Sequence, residues 1–219
     1  MKKILIAFLI FISATAIAQN DCPPFWNDIV QFKKSDVATT PPKNAILFVG
    51  SSSFTKWTDV ADYFPGYTII NRGFGGSTLP DVIRYAYDVI LPYQPKQVVI
   101  YCGENDLAAS DSVLASDVVL RFKTLFGIIR QNLPQANIQF VSLKPSPSRQ
   151  KLFPKMQAAN EGIRMFLKGQ RNAGFIDVYH AMLQANGSPR QDIFLEDMLH
   201  MKPDGYVIWQ KIIQPHLLK

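Results

Sequence analysis

The chain has 219 residues, 47% of them apolar and 18% charged, ordinary globular values that allow one domain with a sizeable core and exclude extended disorder. Its formal net charge is +6. No long Lys/Arg run accompanies that charge, so a nucleic-acid partner is excluded, and the mild basicity points only weakly to an anionic surface or substrate.

In chain order, residues 1–18, "MKKILIAFLIFISATAIA", read as a secretory signal. Lys2 and Lys3 form its charged start, and Ile4 to Ile12 form an apolar stretch too short to span a bilayer. Ala16-Ile17-Ala18 supplies the small-x-small cleavage pattern, so a mature single domain is expected over 19–219, exported to the periplasm or the extracellular space. No later segment is long and apolar enough for a membrane span. Export permits disulfides, but only Cys22 and Cys102 are present. Cys102 ends a strand-like run and reads better as a small buried hydrophobe.

"PFWNDIVQFKK" spaces Phe25, Ile29 and Phe32 at helical intervals, and "TTPPKN" then breaks that helix. From Ala45 the chain alternates apolar runs with helical patterns. The runs are "AILFVG", "YTIINRG", "QVVIYCG", "NIQFVSL" and "GFIDVY", and helices are predicted over 78–93, 112–132, 150–169 and 204–214. Runs nearly continuous in Val, Ile and Phe belong to strands covered on both faces. Five such βα repeats predict an α/β fold, a three-layer α/β/α sandwich around a five-stranded parallel sheet. Ligands in such sheets bind beyond the carboxyl ends of the strands, and the polar clusters "GSSS", "NRGFGGS", "CGEND" and "KPSPSR" follow those ends, with "EDMLHMKPDGY" before the last helix.

Each cluster carries chemistry that has a plainer alternative. A serine on a tight strand-to-helix turn exposes its hydroxyl and frees its backbone N–H. "GSSSF" lacks the second glycine of the G-x-S-x-G elbow and also fits a hydroxyl-rich phosphate loop of a flavodoxin-like, flavin-binding protein, or a bland loop. Gly73, Gly75 and Gly76 let the backbone approach a ligand, or simply make a turn. Asn105 in "CGEND" offers an amide to an oxyanion, or caps the following helix. Of the three histidines, His180 ends the fifth apolar run, His216 lies in the tail after Pro215, and His200 lies three residues after Asp197 in "DMLH", a spacing that lets the carboxylate reach back to the imidazole; a solvated pair is the alternative. Two cysteines and three histidines leave little material for a metal cluster.

Taken in order, "GSSS", "GG", "GEND" and "DMLH" resemble the blocks of the SGNH hydrolases, the GDSL esterase/lipase superfamily, over nearly all of the mature chain. The resemblance implies a flavodoxin-like fold and ester hydrolysis without metal or cofactor. It places the nucleophile at Ser52, the oxyanion hole at the N–H groups of Ser52 and Gly76 with the Asn105 side chain, and the acid–base pair at Asp197 and His200. Ser51 stands where the family usually has Asp, which leaves the acid beside the histidine untouched. The expected substrate is a small-molecule or glycan ester, with short acyl groups on carbohydrate ahead of lipid or lysophospholipid; a non-catalytic module on the same fold is the reading from another class. Trp57 offers a flat face to a sugar ring or packs as a core residue on the first helix, and Lys144 and Arg149 face an acidic group or are simply solvated.

Overall fold

The computed structural model describes residues 22–219, and the secretory-signal expectation lies outside them. Helix α1 (Trp26–Ala38) comes first and ends where the Thr39 N–H returns to the Ser35 carbonyl, two residues before the Pro41-Pro42 pair. The first half of the chain continues as β1 (Ile46–Gly50), the short helices α2 (Ser52–Thr55) and α3 (Val60–Tyr63), β2 (Ile69–Gly73), α4 (Leu79–Arg84), α5 (Ala86–Val89) and β3 (Gln97–Tyr101). There follow α6 (Glu104–Ala109), α7 (Ala115–Asn132), β4 (Asn137–Val141), α8 (Phe153–Lys168), β5 (Ala173–Ile176) and α9 (Pro203–Ile213).

All five strands pair in parallel in the order β2-β1-β3-β4-β5. Period-two alternation divides their side chains between two cores. Leu47, Val49, Val98, Ile100, Ile138 and Phe140 face one side, under α1, α4, α5, α7 and α8. Ile46, Phe48, Val99, Tyr101, Val141 and Ile176 face the other, under α2, α3 and α9. The sheet is therefore the middle of three layers, as the near-continuous apolar runs predict. No helix among the described residues is long and apolar enough to cross a membrane.

Two elements depart from the predicted bounds for local reasons. The helix expected over 78–93 is split at Tyr85, which leaves helical geometry (φ −101°, ψ 11°) as its buried ring turns inward and its hydroxyl donates to the Pro24 carbonyl at 2.7 Å. The last strand stops at Ile176 because the N–H groups of Val178 and Tyr179 both donate to the Ser142 hydroxyl, at 3.0 Å each, instead of continuing the ladder.

The strand order reverses direction between β1 and β3, the switch point at which open parallel sheets leave a crevice. Register then sets the height of the loops around it. Gly50 lies opposite both Gly73 and Tyr101, so the segments following β1, β2 and β3 leave the sheet at one level.

Candidate active site

Gly50 makes the sharp exit from β1 possible. Its φ is +143°, and a Cβ there would stand 1.9 Å from the Tyr101 carbonyl oxygen, so no other residue fits. The freed turn is held from both sides. Ser51 N–H donates to the Tyr101 carbonyl at 3.0 Å, while Phe74 N–H and the Ser77 hydroxyl donate to the Gly50 carbonyl at 2.9 and 3.2 Å.

This turn separates the three serines. Ser51 and Ser53 are 3% and 2% exposed, whereas Ser52, the first residue of α2, is only half-buried. Ser52 Oγ lies 3.0 Å from His200 Nε2. On the other side of the ring, His200 Nδ1 lies 2.5 Å from Asp197 Oδ2. An ionised carboxylate only accepts hydrogen bonds, so the proton belongs on Nδ1 and leaves Nε2 to accept from the serine hydroxyl.

Asp197 itself is fixed by the turn that it forms. Its Oδ1 accepts the backbone N–H groups of Leu199 and His200 at 3.0 and 2.9 Å. Desolvation pushes its carboxyl up, but the His200 N–H, the imidazole and the Leu199 N–H outweigh that and hold it well below the usual carboxylate range. A second Asp-x-x-His, Asp177 and His180, repeats the contact at 2.6 Å. There, however, the imidazole is 76% exposed against 16% for His200, and its Nε2 meets no serine among the described residues. Tertiary placement, not the four-residue motif, distinguishes the two pairs.

The glycine block lies beside Ser52, and the "GEND" block is tied to it. Gly75 and Gly76 follow β2, and a Cβ on Gly75 would lie 3.8 Å from Ser52 Cβ. Gly76 has φ +86°, and the backbone N–H groups of Ser52 and Gly76 donate to no other group among the described residues. Asn105 sits within the first turn of α6, and instead of capping that helix it donates through Nδ2 to the Ser77 carbonyl at 3.0 Å. That bond ties the third block to the second and uses one of the two amide protons. Asp106, beside it, is buried, accepts the Leu79 N–H at 2.9 Å and pairs with Arg121 at 2.8 Å, locking α6 against α4 and α7. Burial pushes its carboxyl up against the opposing pull of Arg121.

The expectations for substrate contacts fare differently. Trp57 is fully buried, stacked on Tyr206 with ring centroids 4.7 Å apart and packed edge-on against Tyr63 and Phe48, so it offers no face to a sugar. Its position just after α2 turns the indole into the core beneath α9. Lys144 is also buried and pairs internally with Glu104 at 2.9 Å, so it neither faces substrate nor is solvated. Arg149 stays half-buried, lines a groove of about 440 Å³ with Leu107, Ala108 and Asp111, and makes no ion pair among the described residues.

Three contributors carry no sequence signal of their own. Ser148 donates through its N–H and its hydroxyl to the Met198 carbonyl, at 3.0 and 2.9 Å, and so ties the loop after β4 to the loop of His200. Glu104 hides inside the "GEND" block. Phe25, at φ +65° a strained conformation for an aromatic residue, puts its ring 3.8 Å from where a Cβ on Gly76 would stand.

Residues 44–208 match the GDSL-like Lipase/Acylhydrolase family. The chain belongs to that family. It is a carboxylic ester hydrolase of the GDSL type. No curated protein matches the sequence significantly. Among solved structures, a GDSL-like lipase from Bacteroides thetaiotaomicron is 19% identical, with a TM-score of 0.74 over 86% of this chain and 96% of that one. A catalytic mutant of an acetylxylan esterase from Geobacillus stearothermophilus is 13% identical, with a TM-score of 0.64 over 80% and 95%. A carbohydrate esterase family 3 protein from Talaromyces cellulolyticus is 14% identical, with a TM-score of 0.62 over 78% and 95%. At these identities the likeness is one of fold, which this GDSL acylhydrolase shares with all three.

Proposed function

We propose that this GDSL esterase hydrolyses short-chain esters of carbohydrates outside the cytoplasm, through a Ser52–His200–Asp197 triad. The observation that carries the reading is the position of the His200 imidazole, 3.0 Å from Ser52 Oγ on one side and 2.5 Å from Asp197 on the other. Ser52 Oγ attacks the ester carbonyl while Nε2 takes its proton. The carbonyl oxygen becomes an oxyanion, held by the N–H groups of Ser52 and Gly76 and the remaining amide proton of Asn105. The tetrahedral adduct collapses, and His200 returns the proton to the departing alcohol. Water, deprotonated by His200, then attacks the acyl-enzyme and releases the acid, restoring Ser52.

The Asn105 role has a direct check. Losing one oxyanion donor typically costs about 10²–10³ in turnover. Asn105→Ala should therefore fold normally and lose kcat by that factor with little change in KM, measured on 4-nitrophenyl acetate. Unchanged kcat would leave Asn105 only the Ser77 tie.

Short acyl groups are supported by the Phe25 ring, which lies 3.8 Å from where a Cβ on Gly76 would stand and so limits the space beside that glycine. Carbohydrate as the alcohol is supported by the names of two neighbours of like fold, an acetylxylan esterase and a carbohydrate esterase. Export is supported by the leader-like residues 1–18. Arg149, which makes no ion pair among the described residues and lines a groove with Ser148, suits an acidic group on the substrate. The test is the ratio of kcat/KM for acetyl over octanoyl esters, expected to be at least about tenfold, together with acetate release from acetylated glycans. A preference for octanoyl esters or lysophospholipid would replace the carbohydrate reading with a lipid one and leave the triad standing.

A further inference from the structure

We propose that the buried Glu104–Lys144 pair is a positioning device that sets the distance between the oxyanion donor Asn105 and the His200 loop. The inference rests on the roles proposed above for those two residues. Glu104 immediately precedes Asn105 at the start of α6. Its carboxylate is fully engaged: Oε2 accepts the Tyr101 hydroxyl at 2.6 Å and Lys144 Nζ at 2.9 Å, and Oε1 accepts the Ser146 hydroxyl at 3.0 Å. The side chains of Lys144 and Glu104 are only 2% and 4% exposed.

Stability does not account for such a pair. Desolvating two charges cancels much of their attraction, and apolar replacements of similar volume are often neutral or stabilising. What the pair does supply is geometry. Tyr101 ends β3, Glu104 opens α6, and Lys144 and Ser146 follow β4, so one carboxylate joins the exits of two adjacent strands. Two residues beyond Ser146, Ser148 grips the Met198 carbonyl within the Asp197–His200 turn. An unbroken run of hydrogen bonds and short backbone therefore leads from the Asn105 amide to the His200 imidazole. Among the described residues none of these side chains hydrogen-bonds to Ser52 or His200, so they act through position.

The test compares wild type, the neutral double variant Glu104→Gln/Lys144→Met, Asn105→Ala and the triple combination, using 4-nitrophenyl acetate, with Ser52→Ala alongside. Misplacing a reacting group by about 1 Å can cost on the order of 10² in rate. The double variant is expected to keep its near-ultraviolet circular dichroism and melting temperature, lose kcat by on the order of ten- to a hundredfold, and change KM little. In the Asn105→Ala background the same two changes should cost much less, because the donor that they position is gone. Tyr101→Phe and Ser146→Ala each remove one bond to the carboxylate without unpairing the charge. They should lower kcat by a smaller factor, which keeps the idea testable if the double variant does not fold. Unchanged kcat in folded variants, or losses that simply multiply with that of Asn105→Ala, would overturn the positioning role. An inactive Ser52→Ala beside an unaffected double variant would sink this inference alone, whereas an active Ser52→Ala would instead remove the triad.

Discussion

Ser52→Ala should lower kcat on 4-nitrophenyl acetate by on the order of 10⁶, the loss expected when the nucleophile of a triad is removed. The variant should fold as wild type does, because the Ser52 side chain is half-exposed and its recorded partner is the His200 ring. Ser51→Ala and Ser53→Ala are the controls, and both should keep most of the activity. Neither hydroxyl is accessible to a substrate, and the surrounding turn is held by backbone groups that both variants retain: Ser51 N–H on the Tyr101 carbonyl and the Tyr206 hydroxyl on the Ser53 carbonyl. If Ser53→Ala were the inactive variant, the nucleophile would be one residue further on and the distance between Ser52 and His200 would lose its meaning. KM should change little in all three, since binding does not depend on the attacking oxygen.

Asp197→Asn should cost about 10⁴ in kcat, with folding intact. The amide oxygen can still accept the N–H groups of Leu199 and His200, so the turn survives. The amide NH₂ then faces Nδ1 and donates to it, which moves the imidazole proton to Nε2 and removes the acceptor that Ser52 requires. The acid limb of the pH profile tests the same arrangement. Because the Asp197 carboxyl is held far below the ordinary carboxylate range, it stays ionised as pH falls and contributes no proton to that limb. Only a neutral imidazole can accept from Ser52, so a single general base calls for an acid limb of kcat/KM with a slope of one. A slope of two would mean that Asp197 titrates together with the imidazole, contrary to its hydrogen bonding. A profile with no acid limb at all would remove His200 from the reaction.

Much of this protein is determined by local sequence. Continuous runs such as "ILFV" and "QVVIY" can only be strands covered on both faces, and the helical patterns between them leave a parallel sheet as the outcome. Because polar clusters follow strand ends, the convergence of their loops on one edge of the sheet is legible in the sequence, and the resemblance of the four blocks to the family is what singles out Ser52, Gly76, Asn105 and His200 within them. What the tertiary structure decided is direction. "FTKWTDV" does not say which way Trp57 points, and only packing against Tyr206 and Phe48, more than 140 residues and nine residues away, turns it inward. Lys144 reads as a surface cation until its partner, 40 residues earlier, is brought across the β3–β4 boundary. Likewise "DVYH" and "DMLH" are equivalent as strings, and what separates them is that Gly50 turns Ser52 toward one of them and not the other. Side-chain direction depends on contacts between residues distant in the chain, and no local pattern encodes those; backbone periodicity depends on neighbours, and every local pattern does.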